Sequence, residues 1–167
     1  MEAMQVKDTL SRVPLFAGLG AEQLRAVGEV IRMRSWQSGE VILREGEPGQ
    51  AAYILLSGTV QVSKKLSLGS SGEEMEKSLV HLDSHEPTVF GEVGLVNKSI
   101  RSATVTAVQM CEAFEIDAGD FTRLCEADPL LGYTAMRNLS QILETRLRKA
   151  NQDVIKLATA LSLALSH

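Results

Sequence analysis

FGEVGLVNKSIRSATV, residues 90–105, sets two glycines, a carboxylate and an arginine in one short stretch between apparent β-strands. Gly91 and Gly94 allow close backbone approach and unusual dihedrals, so the amides of a tight turn or short helix can point at an anion. Glu92 supplies an acceptor for a sugar hydroxyl. Arg101, nine residues further on, offers a forked pair of donors that suits phosphate oxygens. Together these residue types describe a site for a small anion with a hydroxyl nearby. The competing use of Arg101 is an ion pair with a nearby acid, such as Glu92 itself.

Outward from this stretch, the sequence reads as short β-rich runs separated by turn residues: RMRSW, VILR, AAYILL, TVQVSK, KSLVHL, SATVTAV and AFEI. The breaks fall at Ser38-Gly39, Gly46-Glu47-Pro48-Gly49 and Ser57-Gly58. So many strands at close, regular spacing predict a small sandwich or jelly-roll barrel. The Gly- and Ser-rich, then acidic, stretch LSLGSSGEEMEKS reads as a solvated hairpin tip.

Helices flank the strands. Val6, Leu10 and Val13 share one face, and Leu24, Val27 and Ile31 share another after Gly18-Leu19-Gly20, so two short helices open the chain. Asp117 is placed to cap a short helix carrying Phe121 and Leu124, and Asp128-Pro129 is a cap followed by proline at the first helical position. One long helix then runs toward Leu165, roughly 55 Å at 1.5 Å per residue. Leu147, Ala150, Val154, Leu157, Leu161 and Ala164 step by three and four, a coiled-coil spacing. This stripe either packs on its own barrel or pairs with a second copy, and the helix outruns the barrel. The fold class is therefore mainly β with flanking α, a β-roll with N-terminal helices and a long C-terminal helix. Its parts are N-terminal helices over 1–31, a barrel over 32–117 and C-terminal helices over 118–167, with the dimerisation helix starting near 129.

Composition narrows the function. With 44% hydrophobic and 23% charged residues the chain reads as a soluble globular protein. A net charge of −4 argues against broad attraction to nucleic acid or an anionic membrane, so any bound anion needs a local site. Cys111 and Cys125 lie fourteen apart without CxxC spacing, which predicts reduced thiols and no zinc site. The N-terminus MEAMQVKDTLSRV carries no signal-peptide core, and Lys156, Thr159 and Ser162 interrupt the apolar C-terminal stretch, so a cytoplasmic, non-membrane protein is expected. His81 and His85 lie in a strand-to-loop region that does not put them on one face, so no metal pair is expected. Ser102 has no identifiable histidine base, so hydrolysis is not supported and no catalytic residue is expected; no cofactor is expected either.

Phe90-Gly91-Glu92, Val93, Gly94, Leu95, Arg101, Ser102 and Ala103 resemble the phosphate-binding cassette of the cyclic-nucleotide-binding domain, with the Glu-to-Arg spacing of protein-kinase regulatory subunits. VPLFAGLG is similar to that family's entry helix, SGEVILREGEPG to its first hairpin and AYILLSGTVQV to its fourth strand. The resemblance covers about residues 12–127, and the following helix resembles the dimerising helix of the catabolite activator family. It implies that cAMP or cGMP is the ligand. Glu92 would accept from the ribose 2′-hydroxyl, Arg101 would pair with the exocyclic phosphate oxygens, and Ser102 would add a hydroxyl near phosphate or base. Gly91, Gly94 and Leu95 would frame the sugar-phosphate. The base cap would come from the turn holding Leu143, Arg146 and Leu147, where Arg146 either stacks on a purine or is solvated.

The resulting expectation is a non-enzymatic cyclic-nucleotide sensor, a homodimer through its C-terminal helix, acting on an effector protein of unspecified identity by ligand-linked movement of that helix. No DNA binding is expected of this chain alone, because the catabolite-activator type needs a helix-turn-helix domain after the long helix. The rival readings are a dimeric scaffold with a degenerate pocket and a truncated part of such a transcription regulator.

Overall fold

Two strands that bury both faces carry the rest of the molecule. Ala51–Ser57 and Cys111–Asp117 pair antiparallel, with Tyr53 opposite Glu115 and Ile54 opposite Phe114. Ala52, Ile54, Phe114 and Ile116 face the helices, while Tyr53, Leu55 and Ala113 face into the roll. A strand buried on both sides reads as a continuous apolar run rather than an alternation, and AAYILL has that pattern.

The computed structural model describes residues 3–68, 73–85, 87–96 and 99–165. Helix α1 is Ala3–Ser11, a 3-10 turn covers Pro14–Phe16, and α2 is Ala21–Val30. The strands are β1 Arg32–Trp36, β2 Val41–Leu43, β3 Pro48–Gly49, β4 Ala51–Ser57, β5 Thr59–Leu68, β6 Glu73–Asp83 and β7 Thr88–Phe90. After α3, Val93–Val96, come β8 Ser99–Ile100, β9 Thr104–Ala107 and β10 Cys111–Asp117. The chain closes with α4 Ala118–Ala127 and α5 Pro129–Leu165. Two four-stranded antiparallel sheets, ordered β1-β10-β4-β7 and β2-β9-β5-β6, face each other, and β3 with β8 forms a two-stranded ribbon. This is the expected mainly β roll with flanking helices.

One expectation is corrected. LSLGSSGEEMEKS is mostly strand: β5 continues to Leu68, β6 starts at Glu73, and Leu66 and Ser67 pair with Met75 and Glu74. Residues 69–72 of the expected tip lie outside the described residues. Ladder bonds use main-chain groups and do not require apolar side chains, so a polar stretch that reads as loop can be a projecting ribbon.

Helix α5 is fixed over its first part. Asp128 Oδ1 accepts from the amides of Leu130 and Leu131, both at 3.0 Å, and its Oδ2 accepts from Gln23 Nε2 of α2 at 2.8 Å. The carboxylate pKa is held below its ordinary value, chiefly by the Gln23 hydrogen bond. Buried Asn138 donates to the carbonyls of Leu15 (3.1 Å) and Ala17 (2.8 Å), tying the helix to the 3-10 turn. Gly132 lets α5 cross α4 closely, since a Cβ there would lie 2.9 Å from Cys125 Cβ. From Leu147 onward the apolar stripe is exposed: Leu147, Val154, Leu157 and Leu161 are each at least 60% accessible. The stripe does not pack on its own barrel.

Candidate functional site

Phe90 ends β7 with its ring in the core between the sheets, stacked on Tyr53 at 5.3 Å and 18°. The chain then turns sharply at Gly91, whose φ of +69° favours glycine. A single helical turn, α3, follows, in which the amides of Gly94 and Leu95 bond the carbonyls of Gly91 and Glu92. Gly94 and Leu95 are buried there, and Val93 is exposed. Asn97 and Lys98 lie outside the described residues.

The return to Arg101 is held by a ladder across the molecule. Pro48 and Gly49 pair with Ile100 and Ser99, the Arg101 amide donates to Glu47 O at 2.8 Å, and the Gly46 amide donates to Arg101 O at 3.0 Å. The turn over residues 44–49 therefore sets where Arg101 leaves the main chain. The Ile100 side chain is exposed, 69% accessible.

The Arg101 side chain is half-buried on a bed of main chain. Its Nη1 donates to Gly91 O at 3.0 Å and its Nη2 to Ala51 O at 2.8 Å. Three glycines make room for it. A Cβ on Gly49 would fall 1.9 Å from Nε, and one on Gly91 or Gly94 would fall 2.9 Å from Nη1. Burial lowers the guanidinium pKa, with Tyr53 and then Glu92 opposing the shift, but an arginine stays charged. Of its five N–H donors the two carbonyls take two, which leaves three for an anion.

Glu92 is 5% accessible, so its carboxylate needs a partner. Arg101 is not that partner. Arg146 of α5 is, with Nη1 2.5 Å from Glu92 Oε1 and Nη2 bonded to Val89 O. In this structure Arg146 is thus paired with Glu92 while its side chain stays 43% accessible. Leu143 and Leu147 stand on the same stretch of helix and remain accessible. Ser102 is exposed and Ala103 half-buried at the entry to β9. Among the described residues no group of three or more His, Cys, Asp or Glu could hold a metal ion, and no helix is long and apolar enough to cross a membrane.

Sequence reading missed Gly49, the Ala51 carbonyl and Tyr53. Gly49 was visible only as part of a turn, and nothing in the sequence links it to a residue about fifty positions away. A cavity of about 270 Å³ opens beside Arg101, with Leu43, Gly49, Ala51, Tyr53 and Glu115 in its wall.

Residues 33–128 match the family model described as the cyclic nucleotide-binding domain. Glutaminase 1 of Bradyrhizobium diazoefficiens is 35% identical over 149 residues, 87% of this chain and 22% of that protein. The cyclic AMP receptor protein of Thermus thermophilus is 31% identical over 84% of this chain and 60% of its own length. Among solved structures, the catabolite activator protein of Thermus thermophilus superposes with a TM-score of 0.72 at 30% identity, covering 87% of this chain and 63% of that one. The chain thus spans between about a fifth and three fifths of the length of these curated relatives.

The glycine bed makes one demand that can be measured. In a crystal structure of Gly49→Ala the guanidinium leaves the Gly91 and Ala51 carbonyls by at least about 1.5 Å, the shortfall between 1.9 Å and an ordinary contact. Gly20→Ala, whose Cβ meets nothing closer than 3.8 Å, leaves Arg101 in place. An unmoved guanidinium in Gly49→Ala would show that the bed does not constrain it.

Proposed function

Because the chain belongs to the cyclic nucleotide-binding domain family, we propose that it is a non-catalytic sensor of cAMP or cGMP whose phosphate is held by Arg101 and whose ribose is held by Glu92. The observation that carries this reading is the state of Arg101: a charged, half-buried guanidinium fixed by neutral carbonyls, with three donors unspent. A cyclic phosphodiester offers the acceptor oxygens that this fork suits. Gly91, Gly94 and Leu95 frame the sugar-phosphate, Val93 and Ala103 border it, and Ser102 adds a hydroxyl at its edge.

The Glu92–Arg146 pair supplies a route from ligand to helix. A 2′-hydroxyl that donates to Glu92 must share the carboxylate with Arg146 or displace it, so ligand and α5 bind one group in common. Occupancy then biases the seat of α5, and the helix carries the change away from the barrel. The exposed stripe from Leu147 to Ala164 supports pairing of two such helices in a homodimer, since leaving that much apolar surface in water is costly. The dimer passes the change to an effector.

Calorimetric titration with cAMP and cGMP tests the ligand. Binding is expected to at least one, weakened by about 2 to 4 kcal/mol in Arg101→Ala because a charge-assisted contact is lost. Absence of heat with both nucleotides, in folded protein, would favour a dimeric scaffold. Sedimentation tests the dimer: at tens of micromolar the whole chain is expected as a dimer and a chain ending at Lys149 as a monomer. A monomer in both cases would remove the helix pairing.

A further inference from the structure

Arg101 shares its cavity with three carboxylates, those of Glu47, Glu115 and Asp117, and pairs with none of them. Each is engaged elsewhere. Asp117 Oδ1 caps α4, accepting from the amides of Gly119 at 2.8 Å and Asp120 at 3.3 Å. Glu47 lies 3.6 Å from Arg44 on the surface. Glu115 is gripped by both prongs of Arg34, Nε to Oε2 and Nη2 to Oε1, each at 3.1 Å.

Of the two glutamates in this cavity wall, Glu115 is the one shielded from solvent. Its side chain is only 13% accessible, so its charge is less screened than that of Glu47, which is 61% accessible. Tyr53 stands beside both groups, directly opposite Glu115 in the β4–β10 ladder and in the wall of the Arg101 cavity. Its ring is clamped edge-on by Trp36 at 5.6 Å and face-on by Phe90. Burial, and then the charge of Glu115, push the Tyr53 pKa up to about 12, so the phenol stays protonated.

We propose that Arg34, on the β1 edge of the first sheet, is a positioning residue for Arg101: by holding Glu115 in a two-pronged bond it keeps that carboxylate from capturing Arg101 and reserves the guanidinium for a phosphate. A carboxylate released from Arg34 would be free to turn toward Arg101, which lines the same cavity. Arg101 would then spend on Glu115 the donors it needs for the ligand. The proposal rests on the reading of Arg101 as the phosphate contact.

The test uses Arg34→Met, which keeps the apolar stem of a half-exposed side chain, together with Glu115→Gln and the double variant. Calorimetry with whichever of cAMP or cGMP the wild type binds is expected to show about tenfold weaker binding in Arg34→Met. Glu115→Gln is expected to bind at least as tightly as wild type, and the double variant to recover to within about twofold. A purely structural role for Arg34 would not be rescued in this way, because Glu115→Gln weakens the same β1–β10 tie. Wild-type affinity in Arg34→Met, or a double variant as weak as Arg34→Met, would overturn the proposal. A wild type that binds neither nucleotide would defeat the phosphate reading alone. The ligand-free crystal structure of Arg34→Met then decides the positioning claim: Arg101 turned onto Glu115 supports it, and Arg101 still on the Gly91 and Ala51 carbonyls overturns it.

Discussion

A guanidinium seated on two main-chain carbonyls, with no carboxylate partner among the described residues, is the constraint around which this protein is arranged. Half-burying a cation costs solvation, and hydrogen bonds to a charged group return about 1.5 to 3 kcal/mol each. The carbonyls of Gly91 and Ala51 provide two such bonds without cancelling the charge. Everything nearby serves that seat. Glycine is needed at 49, 91 and 94 because any Cβ there would enter the guanidinium. The β3–β8 ribbon delivers the backbone of Arg101 to the right place, and the pairing of β4 with β7 brings the two carbonyls together.

The carboxylates follow the same logic from the other side. Each acid that could neutralise Arg101 is already bound: Glu92 by Arg146, Glu115 by Arg34, Glu47 by Arg44 and Asp117 by the start of α4. Of these bonds, the one made by Arg146 comes from α5, which is anchored by Asp128 and Asn138 but exposed over its distal half. A helix held at one end and clasped to the site by one ion pair is suited to respond when that pair is disturbed. Of the exposed stripe, Leu147 follows Arg146 directly, and Val154, Leu157 and Leu161 lie about two to four turns further along the helix.

Much of this was legible in the residues. Gly91, Glu92, Gly94 and Arg101 read by type and spacing as parts of one site, and AAYILL, Asp117 and Asp128-Pro129 announce a buried strand and two helix caps. What stayed hidden has physical reasons. Two-residue strands such as β3 and β8 are too short to show a period. The hairpin around residues 66–76 is polar, and its order comes from main-chain bonds that composition does not record. Gly49 and Tyr53 act on a residue about fifty positions away, and Arg146 meets Glu92 only because α5 folds back over the cassette. Contacts between distant segments leave no local pattern, so the residue types of the site could be read but not the partners that aim them.

The most direct measurement is a crystal structure of the chain with cAMP bound. Arg101 is expected to keep the Gly91 and Ala51 carbonyls while its remaining donors lie about 3 Å from the exocyclic phosphate oxygens, with Glu92 on the ribose hydroxyl. A nucleotide bound in the roll with its phosphate more than about 4 Å from every Arg101 nitrogen would contradict the central role of that side chain.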